Sequence, residues 1–98
     1  MSAKTLDAKI IFLSADEGGR ITPPQSGIRP QLKLGEVFTS CIVASKAPTQ
    51  TFEFGTEYEV KIEVMFWEEY GSLFHDDEPV QLFDGSRLIA RGFWATRA

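Results

Sequence analysis

Two stretches of this 98-residue chain hold residue types that commonly do covalent or metal chemistry. The lone histidine, His75, stands in "FHDDEP" beside Asp76, Asp77 and Glu78. Imidazole and carboxylates ligate divalent cations, so a metal-dependent reaction is the chemistry to weigh there. Metal sites draw their ligands from spaced positions that converge on one point. Four consecutive side chains in an extended loop splay apart instead. The segment therefore reads as a solvated acidic turn closed by Pro79, with an acidic contact patch as its alternative. Cys41, the single cysteine, sits in "CIVAS". A thiol in an apolar run is a small, inert hydrophobe, and no nucleophile-elbow motif suggests a catalytic serine. No glycine-rich loop ending in Lys and Ser or Thr is present, so GTP or ATP binding of that kind by this chain alone is not expected. The chain is read as a non-enzyme without catalytic residue, metal or cofactor.

A third stretch, "DEGGRITPPQSGIRPQ" at residues 16–31, carries binding chemistry. Gly18 and Gly19 supply the positive backbone angles of tight turns. Pro23 and Pro24 stiffen the middle, and Pro30 forces Arg29 into an extended conformation. Arg29 thus combines a stiff backbone with a fork of donors suited to a carboxylate, a phosphate or backbone carbonyls. Two uses are open: a partner contact, or hydrogen bonds that tie the loop to its own fold.

The elements that must position these residues are strands. In "EYEVKIEVMFW", residues 57–67, Tyr58, Val60, Ile62, Val64 and Phe66 alternate with Glu57, Glu59, Lys61 and Glu63. That period of two gives one face to a core and one to water. Residues 7–14, 38–45 and 86–96 are β-branched and apolar and read as further strands. Asp84-Gly85 marks a hairpin turn between "VQLF" and the last strand. Residues 64–74 tempt a helical reading, but Val64, Phe66 and Trp67 favour strand and Gly71 interrupts. About six short strands with turn chemistry between them imply an all-β sandwich or barrel. Most of the 12 aromatic residues belong in the core. Trp67, Tyr70 and Phe74 break the alternation and are candidates for a partner-binding lip.

Composition narrows the function classes. The length suits one domain, taken as residues 1–98 with its core at about 8–96. No apolar run approaches the roughly 20 residues that span a bilayer, and no secretory leader is evident. One cysteine and no leader make the cytoplasm the expected location. The net charge of −4 argues against a general phosphate-gripping RNA binder. It is unevenly spread. Residues 1–50 hold six Lys/Arg and four Asp/Glu, or +2; residues 51–98 hold four and ten, or −6. A protein partner suits this pattern better than nucleic acid.

The residues "LSADEGGRITPPQSGIRPQ" resemble the opening of the third, C-terminal domain of bacterial elongation factor Tu. Glu17, Gly18, Gly19, Arg20, Thr22, Pro23, Gly27, Arg29, Pro30 and Gln31 match its motif, and Gly85, Arg87 and Gly92 match its end. The resemblance implies a six-stranded antiparallel Greek-key β-barrel. It implies that Gly18, Gly19 and Arg20 face a partner protein or domain, and Arg29, from its own chemistry, is the fourth partner-binding candidate. It further implies that Gln31, Asp84 and Gly85 lie where the family places the T-stem of tRNA. The sequence departs at Ile28, where the family has Tyr, and at Pro24 and Gln25, where it has aromatics. Ala90-Arg91 replaces a Gly-Ala, and the loop at 68–79 looks longer and more acidic. The family's GTP-binding domain and second barrel have no counterpart in these 98 residues. The expectation is a non-catalytic interaction module with a protein partner, with a weak tRNA-binding accessory as the alternative.

Overall fold

A computed structural model describes residues 3–47 and 50–95. Six strands form it: β1 (Ala3–Phe12), β2 (Gln31–Leu34), β3 (Val37–Ala44), β4 (Glu57–Met65), β5 (Pro79–Asp84) and β6 (Arg87–Trp94). They close into a barrel in the order β1-β4-β3-β2-β5-β6, and every pairing is antiparallel. Strands β2, β3 and β4 follow one another, while β1 returns beside β4 through a long connection, which is a Greek key. Closure leaves no strand edge unpaired.

The alternation in β4 does what its period requires. Val60, Ile62 and Val64 are buried, and Glu57, Glu59 and Lys61 are exposed. Phe66 departs from the expectation. It is 40% exposed and has a φ of 55°, so the strand stops at Met65. One helical turn, α1 (Trp67–Tyr70), follows, and then a 3-10 turn over Gly71–Leu73. The β-prone composition of 64–74 is overridden because the chain must cross the barrel's mouth from β4 to β5, which are not neighbours. β2, only four residues long, gave no separate strand signal in the sequence; it is held by β3 on one side and β5 on the other. The β5–β6 hairpin turns at Gly85-Ser86, one residue later than expected, because Asp84 still pairs with Arg87. Thr96, the last residue of the expected final strand, lies outside the described residues.

The core fills the barrel from Leu6, Ile10, Leu32, Val43, Ile62, Leu82 and Ile89. Burial of each such side chain contributes roughly 1.5–3 kcal/mol. Gly92 is needed for closure. It faces Ile10 across the β6–β1 seam, and a Cβ there would come within 1.9 Å of the Lys9 carbonyl oxygen.

The two ends differ. One is shut by the β4–β5 connection, where Trp67 packs on Phe74 and Phe74 packs edge-on to Trp94, with centroids 5.8 and 5.1 Å apart. At the other, residues 13–30 run from β1 to β2 over Phe12 and Phe52, whose rings stack at 5.0 Å. That second end, with the Gly85-Ser86 turn on its rim, carries the candidate site.

Candidate binding groove at the long-loop end

The loop after β1 folds back on itself within seven residues. The Gly19 amide donates to the Ser14 carbonyl at 2.7 Å, and the Arg20 amide donates to the Leu13 carbonyl at 2.9 Å. Gly18 makes the reversal at a φ of 86°. Gly19 is buried, and its carbonyl accepts a hydrogen bond from Arg87 Nη1 at 3.4 Å. Of the two glycines expected to face a partner, Gly18 is exposed and Gly19 is packed on Leu13. Gly19 is therefore a residue of the fold.

The second half of the loop is pinned to the β3–β4 connection. The Phe52 amide donates to Pro24 at 2.8 Å, the Ser26 amide to Gln50 at 2.9 Å and the Gly27 amide to Val43 at 2.7 Å. The Val43 amide then donates to Ile28, and the Cys41 amide to Pro30. Arg29 sits between two residues whose carbonyls are thus held by β3. Its side chain is exposed, and among the described residues it makes no hydrogen bond or ion pair. Of the two uses open from the sequence, the loop-tying one is not taken by Arg29. Arg87 takes it, and no feature of "DGSRL" signals that.

Arg20, Arg29, Gln31, Asp84 and Gly85 line one groove of about 300 Å³. Ile28, Pro30, Phe83 and Ile89 complete its walls. Residues that the sequence assigned to two uses, partner contact and RNA contact, therefore converge on one surface. Arg20 is half-buried as a residue, and its Nε donates to the Thr22 carbonyl at 3.2 Å, which orients the guanidinium. Ile21, next to it, is 81% exposed. The groove offers guanidinium donors, one primary amide and one carboxylate above an apolar floor. Such a set can grip a carboxylate, a phosphate or backbone carbonyls.

The other sequence candidates do not join it. Trp67, Tyr70 and Phe74 pack against the core at the opposite end and form no protruding lip. Phe66 and Leu73 are the exposed apolar residues there. His75, Asp77 and Glu78 are exposed in a turn closed by the Glu78 amide donating to His75. Among the described residues no three His, Cys, Asp or Glu side chains converge to hold a metal ion. Cys41 is buried, and desolvation pushes its thiol pKa up to about 12. A larger groove of about 400 Å³ lies over β1 and β4. Its charges meet across the strands, Lys61 with Asp7 at 2.7 Å and Lys9 with Glu59 at 3.9 Å. No described helix is long and apolar enough to cross a membrane.

A scan against protein-family models gives no match for this chain, and a search of curated proteins gives none.

Proposed function

We propose that this barrel is a non-catalytic interaction module, of the type of the elongation factor Tu C-terminal domain, that binds a protein partner through its long-loop face. The observation that carries the reading is the groove shared by Arg20 and Arg29, with exposed Ile21 beside it. Arginines on a pinned loop next to an exposed apolar side chain are the composition of protein–protein contact centres. Arg29 has no fold-stabilising partner among the described residues, so its exposure on a rigid loop is free for recognition. The cytoplasm is the location proposed with this reading.

A photo-crosslinking residue at Ile21, used in cells that express the protein, tests it. A discrete protein adduct is expected, and it should be lost in the Arg20→Glu/Arg29→Glu double variant. No protein adduct from an abundant, soluble and folded protein would sink the reading.

A second reading, weak binding of tRNA, is favoured by the presence of Gln31, Asp84 and Gly85 in the same groove. It predicts salt-sensitive binding that Arg29→Ala weakens. A flat titration with tRNA at low salt removes it.

A further inference from the structure

The outer wall of the barrel is divided by charge. On β4 the outward residues are Glu57, Glu59, Lys61 and Glu63, and the far end of the barrel carries Glu68, Glu69, Asp77 and Glu78. The wall of β2, β5 and β6 is the reverse. Lys33 and Arg91 lie on it with exposed Arg87, and the one carboxylate in its strands is Asp84, at the end of β5 opposite Arg87. Among the described residues, neither Lys33 nor Arg91 forms an ion pair. The same wall exposes aromatic rings. Phe93 is 71% exposed between Lys9 on β1 and Pro79 on β5. At the wall's border, Phe38 of β3 is 47% exposed, lies opposite Lys33 and meets Phe83 edge-on at 5.1 Å across β2. Phe83 and Gln31 also border the groove, so wall and groove are continuous.

Exposed phenyl rings among unpaired cations need an occupant that is both apolar and anionic. We infer that the β2–β5–β6 wall docks a short acidic segment of a partner protein, one that carries apolar side chains for Phe93 and Phe38. A nucleic acid fits the surface less well. The wall is roughly 25 Å long, the length of an eight-residue strand. Glu78 and Asp77 border it directly at Pro79, and the chain as a whole is negative, so a long polyanion is repelled at both ranges. A segment of roughly eight residues can place an apolar side chain, and no carboxylate, at Phe93 beside Pro79, where those carboxylates stand. The inference rests on the interaction-module reading and names the chemistry of the partner.

The test uses the whole chain and three labelled probes in fluorescence anisotropy. One is a peptide of roughly eight residues alternating Glu with Leu or Phe. The second is its twin with every Glu replaced by Lys, and the third is a single-stranded oligouridine of similar length. Saturable binding of the acidic peptide alone is expected. Lys33→Glu/Arg91→Glu should weaken it about tenfold, as should raising salt from about 0.05 M to about 0.3 M. Phe93→Ser should weaken it about fivefold or more. Circular dichroism shows that each variant is folded. No binding of the acidic peptide overturns the inference, as does tighter binding of the oligouridine or of the basic twin. Binding lost only in Arg20→Glu/Arg29→Glu overturns it too, while leaving the groove reading intact. The crosslinking experiment at Ile21 decides that reading separately.

Discussion

Gly19 lies so close to Leu13 that a Cβ on Gly19 would stand 2.0 Å from the Leu13 carbonyl oxygen. That same oxygen accepts the Arg20 amide, so the contact fixes where the Arg20 side chain emerges. The atom in the way is backbone and cannot swing aside.

Gly19→Ala is therefore expected to cost about 2 kcal/mol or more, by forcing the loop off β1. Urea denaturation measures it. Gly18→Ala is a useful contrast, because that site is open and the cost there comes from the positive φ alone. A cost roughly half as large is expected for it. Equal midpoints for Gly19→Ala and the parent protein would refute the close packing.

Arg29 in the loop and Arg87 on β6 beside it should separate. Arg87 donates to the Gly19 carbonyl, and Arg87→Ala is expected to lower stability by about 1 kcal/mol. Arg29 is exposed and holds nothing in the fold, so Arg29→Ala should change stability by less than about 0.5 kcal/mol. Thermal or urea unfolding of both variants checks the order, and a larger loss for Arg29→Ala would show that it pins the loop.

Gly71 begins the 3-10 turn under the Trp67 indole, and a Cβ there would lie 2.5 Å from the ring. Replacing a helical glycine by alanine ordinarily stabilises by about 1 kcal/mol. In a segment this short the gain is smaller, and displacing Trp67 from Phe74 outweighs it. Gly71→Ala is expected to destabilise and to change the tryptophan emission and near-ultraviolet dichroism. Unchanged spectra with a raised midpoint would contradict the packing.

Burial keeps the Cys41 thiol protonated up to about pH 12. The unfolded chain loses that proton near pH 8.5. Above that value the unfolded state binds fewer protons than the folded state, so stability falls as pH rises, by up to about 1.4 kcal/mol per unit, and levels off above pH 12. Below pH 8 the contribution is fully present. Urea midpoints from pH 7 to 10 should decline more in the parent than in Cys41→Ala. A disulfide-exchange reagent should label Cys41 only on unfolding, and fast labelling of the native protein would refute the burial.

Much of the barrel is legible without coordinates. Val60, Ile62 and Val64 alternate with charged residues because one face of β4 must be dry, and a period of two leaves no other assignment. Gly85 announces the last hairpin because a two-residue turn needs a positive φ. The spacing of glycines and prolines in 16–31 marks a stiffened loop, but that Arg20 and Arg29 share one groove with Gln31, Asp84 and Gly85 comes from the packing of that loop beside the last hairpin. Local signals end where non-neighbouring strands meet. The helical turn at Trp67–Tyr70 exists because β4 must reach β5 across the barrel's mouth, and no window of residues contains that distance.

By itself, then, the sequence determined the all-β class, the alternation of β4 and the glycine turns, since these depend on side-chain period and backbone freedom. The tertiary structure alone decided which glycine is filled space and which is open, and which of two exposed arginines hydrogen-bonds to the loop. It also decided that the cations of β2 and β6 share a wall that the carboxylates of β4 avoid. Those outcomes are set by contacts between segments as far apart as Gly19 and Arg87, and through-space contact carries no sequence period.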